Sequence, residues 1–316
     1  MSAGPSTDHA DHAVHAVHAV PAVDHPSGPP DGTGARVEIV AAGRLARVGS
    51  RPPLGRYLSS LWDRRHFLWA DARAKVTSGT RETVLGTAWL VLKPVLDGLA
   101  YFLLFGLLMS SSRGIPNFLG YLIVGVFLFS FTTQCVTSGA ASILNGRNLV
   151  RAFSFPRAAL PIAVVLREAL AMIPTLVAMV ALILVLPPVE NLTWRVALTP
   201  AVLVLQGVFC TGLALLLARI TAGFPDMKLI IGLSMRFWLY GSAVFFSFEK
   251  LVEHPGLVTV LEANPMFMVL DMVRDCLLYG VTPAGGTWLA LSAWAFGTLV
   301  VGLLVFWQAE ETYGRA

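Results

Sequence analysis

Five cations, Arg64, Arg65, Arg73, Lys75 and Arg81, crowd the segment between residues 64 and 81. The segment passes through a Leu85-Gly86 step and, from Trp89, into an almost wholly apolar run. Guanidinium and ammonium groups placed there suit anionic groups at a membrane surface, phosphates above all. A plain anchor on anionic lipid uses the same charges. A second basic group, Arg147, Arg151 and Arg157, sits with Asn145, Asn148, Phe153 and Phe155 in a short stretch without an acid. Basic and aromatic together, that stretch fits either a docking surface for a cytosolic partner or an ordinary positive loop. Phe155-Pro156 ends it, because proline disfavours helix in the residue before it.

Catalytic constellations are missing. The chain has no GxxxxGK[ST] phosphate loop, so it does not hold ATP in the P-loop manner. It has no HExxH or GxSxG motif and no carboxylate cluster. An outer group of Glu249, Glu253 and His254 is the nearest approach to a transferase site. Cys135, Cys210 and Cys276 show no CxxC spacing, which argues against zinc or a disulfide framework. His9, His12, His15 and His18 recur every third residue, a pattern shared by metal-binding tracts and low-complexity tails.

The elements that must position these residues follow from composition. Of the 316 residues 55% are hydrophobic and 13% charged. Soluble domains carry about 25% charge, so the expected class is an all-α integral membrane protein. The net charge of +4 is no nucleic-acid signal. Residues 1–53, rich in Ala, His, Pro and Gly, bury too little to offset ordering entropy and are expected to form a disordered tail. Over 54–82, Leu58, Leu61, Trp62, Leu68, Trp69, Ala72 and Val76 make an apolar stripe, predicting one amphipathic interfacial helix within a 54–87 segment. Six apolar runs follow, near 88–109, 118–139, 160–186, 196–218, 229–248 and 287–308, each close to the ~20 residues that cross a bilayer.

The basic residues orient the spans. With the N-terminus inside, sixteen Lys and Arg fall on inner segments and four, Arg113, Arg195, Lys250 and Arg274, on outer ones. That bias puts both termini, including the 309–316 tail, in the cytoplasm. Lys93 and Asp97 share a helix face, and Arg167-Glu168 and Pro174 lie in the third run. Arg236 sits mid-run in the fifth, facing either a pore or a structural partner. The outer connection 249–286 is too apolar for a free loop. Asn264-Pro265 divides it into short helices over 250–262 and 265–279, the second carrying Asp271, Arg274 and Asp275 at pairing distance along the helix. Non-spanning segments at membrane depth need protein or a water-filled cavity beside them, which points to transport.

Several stretches resemble one family. Asp71-Ala-Arg73, Leu85-Gly86-Thr-Ala-Trp89 and Lys93-Pro94 are similar to the start of ABC-2-type permeases, in particular the polysaccharide exporters of O-antigen, teichoic acid and galactan. Asn148 to Arg157, Phe224-Pro-Asp226, Asn264-Pro265 with Arg274, and Phe306-Trp-Gln-Ala-Glu310 follow in the order that subgroup shows, covering about 56 to 313. Thr80-Arg81-Glu82 departs from it. So does Val244-Phe245-Phe246, which leaves the outer end of the fifth span without its usual proline kink.

The resemblance implies a permease subunit working as a homodimer with a separate ABC ATPase, which would carry the ATP and magnesium; this chain would hold no cofactor and catalyse nothing. It implies a gate helix flanking lipid access, a coupling helix over 143–155, and outer re-entrant half-helices in a plasma-membrane, multi-pass protein. The substrate would be a polyprenyl-pyrophosphate-linked glycan, its pyrophosphate met by Arg64, Arg65, Arg73, Lys75 and Arg81. Its sugars would pass Tyr101, Phe127, Phe131, Arg236, Trp238, Tyr240 and Phe245, aromatics that would otherwise pack against helices or lipid. An ABC-2 exporter of a drug or small lipid shares these features; a membrane transferase or an ATP-independent channel is the different-class alternative.

Overall fold

The computed structural model describes residues 52–78, 88–101, 103–104, 115, 117–148, 155–185, 193–247 and 255–311. Residues 1–51, Arg81, Leu85-Gly86, Arg151, Phe153, Glu249, Glu253 and His254 lie outside them, as do the side chains of Lys93 and Tyr101. Among the described residues every regular element is helical.

The central helix starts at an asparagine. Asn117 takes a left-handed backbone, φ 46°, and its side chain accepts from Gly120 N–H at 2.9 Å. Asparagine tolerates that conformation better than most residues. From this cap α4 runs over Phe118–Ala140 and is buried along most of its length. Around it lie α3 (Trp89–Tyr101), α6 (Ala159–Val185), α7 (Thr199–Gly223, entered through a 3-10 turn at Trp194–Leu198) and α8 (Met227–Tyr240). A four-residue turn, α5 (Ser142–Asn145), follows α4 directly. Pro174 sits inside α6, which apolar membrane helices accommodate. Four segments are long and apolar enough to cross a membrane, by length and composition: Phe118–Ala140, Ala159–Val185, Trp194–Gly223 and Gly285–Gln308, the last being α11.

Without a hydrophobic drive between apolar helices in lipid, close backbone packing at small residues takes over. α7 and α11 cross at Gly212 and Gly302. A Cβ on Gly212 would lie 2.4 Å from the carbonyl carbon of Thr298, and one on Gly302 would lie 2.4 Å from the Gly212 oxygen. α4 and α7 meet similarly at Gly139, where a Cβ would stand 2.5 Å from the Ala214 Cβ.

Two features depart from the sequence expectation. The segment over 54–82 forms two helices, α1 (Leu54–Asp63) and α2 (Arg65–Ser78), broken at Arg64. Arg64 N–H bonds the Leu61 carbonyl, a three-residue step, and Arg65 donates to the Trp62 carbonyl and lies over its ring. Tyr57 and Leu61 of α1 and Leu68 of α2 share one apolar cluster with Ile143, Ala158, Leu215 and Phe306. Leu58, Trp62 and Trp69 of the expected stripe stay exposed.

The second departure is in the fifth apolar run. Its helix, α8, stops at Tyr240, and Gly241 to Ser247 fold into a turn in which Ser242, Ala243 and Val244 are buried. No proline is needed, because Ala243 takes φ 52°. The Tyr121 hydroxyl donates to the carbonyls of Ala243 and Phe246, satisfying backbone that a helix would have paired internally.

The connection between α8 and α11 includes α9 (Pro255–Glu262) and α10 (Pro265–Arg274), the latter running on as a π turn over Asp275–Tyr279. Asn264 caps α10 through Met266 N–H, and Pro265 opens it. Gly280 closes the π turn at φ 59°.

Candidate functional site

α2 lies along α6, anchored by Leu68 and Ala72. Phe67, Leu68, Asp71 and Lys75 recur at three- and four-residue steps, so one helix face turns them toward a common side. That face, with Arg64 at the break before it, forms one wall of a cavity of about 840 Å³. α5 and the chain around it add Ser138, Ser142, Asn145, Gly146 and Phe155; α6 adds Ala159, Leu160, Ala163, Val164 and Arg167. Apolar walls with cations at the rim suit an amphiphile with an anionic head.

Three cations reach this cavity. Lys75 Nζ pairs with Asp71 Oδ2 at 2.9 Å, and the Arg64 guanidinium lies 5.9 Å over the Phe155 ring. Arg167 holds its neighbour Glu168 at 2.6 Å and was not among the sequence candidates. In the sequence it stands inside an apolar run beside an acid, with no spacing that ties it to the other cations. Ser142 adds a ligand-seeking group: its hydroxyl is buried and lacks a hydrogen-bond partner among the described residues. A buried, unsatisfied hydroxyl costs about 1–3 kcal/mol, so a polar occupant would be favoured. Arg65 and Arg73 are exposed and do not line the cavity.

The basic stretch after α4 divides by exposure. Asn145, Arg147 and Asn148 face outward, whereas Phe155 and Arg157 are half-buried. Arg157 turns back onto the chain end: its amide donates to Glu310 Oε1 at 3.0 Å, and its guanidinium donates to the Glu310 carbonyl. Glu310 Oε2 accepts from the Tyr57 hydroxyl at 2.8 Å. Burial raises the Glu310 carboxyl above its ordinary range, while the Arg157 amide and the Tyr57 hydroxyl oppose the shift.

At the other end of the bundle Asn264 is a hub. Its Oδ1 accepts from Trp238 Nε1 at 2.9 Å as well as from Met266, and its Nδ2 donates to the Gly241 carbonyl and Ser242 Oγ, each at 2.9 Å. Arg274, read from sequence as an intrahelical partner for Asp271 and Asp275, is buried and turned inward. It donates from Nε and Nη2 to the Tyr121 carbonyl and lies over the Tyr121 ring.

The aromatic candidates for a sugar path fall into two groups. Phe127 and Phe131 are in the core, and Trp238 packs edge-on to Phe129 and Phe209. Arg236 and Tyr240 lie on the exposed face of α8, and Phe245 is half-buried beside Tyr240.

Residues 68–278 match the model of the ABC-2 type transporter family. The chain belongs to this family. It is similar to an O-antigen export system permease protein of Myxococcus xanthus, 26% identical over 258 residues that cover 82% of this chain and 95% of that protein. Two O-antigen export system permease proteins of Klebsiella pneumoniae are each 22% identical, over 200 and 201 residues, or 75% and 76% of their lengths. This ABC-2 chain is thus a multi-pass membrane transport subunit, and its matched region takes in the cavity walls from Leu68 onward and the α10 hub.

Proposed function

We propose that the chain is the permease subunit of an exporter that moves a polyprenyl-pyrophosphate-linked polysaccharide, O-antigen-like, teichoic acid-like or galactan-like, across the cytoplasmic membrane. A separate ABC ATPase subunit supplies ATP hydrolysis with its magnesium, and a second copy of the permease completes the path. On this reading the first and fifth apolar runs join the four long helices to make six spans, with both termini in the cytoplasm. α1 and α2 form the gate, the 142–157 segment receives the ATPase, and α9 and α10 form the outer half-helices. Exposed Arg236 and Tyr240 of α8 would face the translocation path.

The observation that carries the proposal is the cavity under α2. A pyrophosphate head would be met by Arg64, Lys75 and Arg167 and by the unsatisfied Ser142 hydroxyl, with the first isoprene units against Phe67, Leu160 and Val164. Ser142, Asn145, Gly146 and Phe155 belong both to the cavity wall and to the loop offered to the ATPase. Movement of that loop would therefore reshape the head-group site directly. O-antigen export, named for the bacterial relatives, is consistent with such a ligand.

The test compares two pairs of cations on α2 and at the break just before it. Permease and ATPase are reconstituted together, and stimulation of ATP hydrolysis by a polyprenyl-pyrophosphate glycan is measured. Arg64→Gln with Lys75→Gln should weaken apparent affinity about tenfold or more, as loss of charge-assisted bonds predicts. Arg65→Gln with Arg73→Gln, outside the cavity, should change it by less than about twofold. Equal effects from both pairs would remove the cavity as the head-group site.

A further inference from the structure

Three segments far apart in sequence meet at one polar node. The Tyr57 hydroxyl of α1 donates to Glu310 Oε2 at 2.8 Å and accepts from Ala158 N–H at 3.1 Å. Glu310 Oε1 accepts from Arg157 N–H, and the Arg157 guanidinium donates to the Glu310 carbonyl. Next to the node, Trp307 Nε1 of α11 donates to the Pro52 carbonyl at 3.0 Å, just before α1 begins. Tyr57 and Ala158 are each 1% exposed and Glu310 is 7% exposed. Arg157 and Ala158 are the last residues before α6. A carboxylate and a phenol from opposite ends of the chain thus satisfy the amides leading into that helix, where negative charge is favoured.

We propose that Tyr57 and Glu310 are positioning residues that transmit movement of the 142–158 segment to α1, and through it to α2. The inference rests on the functional reading above, in which that segment receives the ATPase and α2 guards the head-group cavity.

The surrounding contacts are apolar: Leu61, Ile143, Leu215, Ala218 and Phe306. Apolar packing is non-directional and lets elements slide, whereas hydrogen bonds fix register. Without the node, α1 would be held to the 155–158 segment by such packing. With it, a shift of Arg157 and Ala158 must carry both Glu310 and Tyr57. Since α1 continues into α2 through Arg64 with no linker, the shift arrives at the cavity wall formed by Phe67, Asp71 and Lys75.

The experiment uses the full chain with its ATPase subunit in lipid nanodiscs. Spin labels go on Ser59→Cys of α1, which is exposed, and on Pro156→Cys beside the node, which is partly exposed. The native cysteines Cys135, Cys210 and Cys276 are buried. Distances between the labels are measured without nucleotide and after trapping with ATP and vanadate. In the native sequence the distance should hold in both states, because the node moves as a unit. Tyr57→Phe keeps the ring and removes both hydrogen bonds. In it the distance should change on trapping by about 2 Å, the scale of helix shifts in switching proteins. ATP hydrolysis should stay within about twofold while glycan exported per ATP falls about tenfold. Glu310→Gln added to Tyr57→Phe should do little further damage, since the two act through one contact.

An unchanged label distance and unchanged export per ATP in Tyr57→Phe would overturn the inference. So would loss of assembly in that variant, which would make the node a folding element alone. A wild-type chain that bound no ATPase would sink the functional reading instead. In that case the width of the label-distance distribution in Tyr57→Phe, compared with wild type, still decides whether the node fixes α1 to the loop.

Discussion

Replacing Gly212 with alanine adds one methyl group where two backbones touch. Its Cβ would lie 2.4 Å from the Thr298 carbonyl carbon, 2.5 Å from Leu299 N and 2.6 Å from Thr298 O. Ordinary contact begins near 3.4 Å, so α7 and α11 must part by about 1 Å at the crossing. None of the three obstructing atoms belongs to a side chain that can rotate away. Overpacking of a well-packed site costs about 1–3 kcal/mol. A gap of 0.5–1 Å also forfeits a quarter to a half of the dispersion well across the neighbouring contacts. The expected loss is about 2–4 kcal/mol, read as the shift in unfolding free energy in a detergent titration of the purified protein. Gly207→Ala supplies the control, because on the same helix a Cβ there meets nothing within 4 Å. It should be neutral or gain up to about 1 kcal/mol from helix propensity. Gly302→Ala should resemble Gly212→Ala, and the double variant should cost less than the sum, since one separation relieves both clashes. Equal stability of Gly207→Ala and Gly212→Ala would refute the reasoning.

Two further expectations concern the opposite end of the bundle. Asn264→Ala removes the α10 cap and the partners of Trp238 Nε1, the Gly241 carbonyl and Ser242 Oγ, for a loss of about 2–4 kcal/mol. Hydrogen exchange should rise over both 241–247 and 265–270, and exchange confined to α10 would contradict the hub. Burial, with Asp271 adding to it, raises the Asp275 carboxyl from 3.8 to about 6. The folded state then binds the proton more tightly than the unfolded state, so stability falls as pH rises through that window. The full shift is worth about 3 kcal/mol, reduced to about 1 kcal/mol because the group is partly open to solvent. Melting temperature should therefore drop between pH 4.5 and 6.5, and Asp275→Asn should flatten part of that slope. An unaltered profile in Asp275→Asn would assign the slope elsewhere.

Local signals carried well from sequence to structure. Runs of apolar residues placed the four long helices within a few residues, and Asn264-Pro265 announced both the end of α9 and the start of α10, because capping chemistry is written in adjacent positions. What failed had no local signature. The break at Arg64 is marked by neither glycine nor proline, and Tyr57 and Leu68 on its two sides share one cluster with Ile143 and Phe306. The fifth run is apolar apart from Arg236 and a few serines, yet composition cannot distinguish a buried helix from a buried turn. The candidate site was half visible: Arg64 and Lys75 stood out as exposed charge on a helix face. Arg167, inside an apolar run, and Ser142, one hydroxyl among many, gain meaning only from the cavity between them. The Tyr57–Glu310 pair spans 253 positions, beyond any periodicity.

The turn over residues 241–247 also bears on how the chain is made. Its carbonyls at Ala243, Phe246 and Gly241 depend on Tyr121 and Asn264, one synthesised long before the turn and one after it. When the fifth apolar run leaves the ribosome, the tyrosine is already in place and the asparagine is not. The C-terminal half of that run is therefore made before all of its backbone partners exist. The turn is complete only after residue 264 has been made and has folded back against it. The last backbone partner of this turn is thus a side chain made after the turn itself.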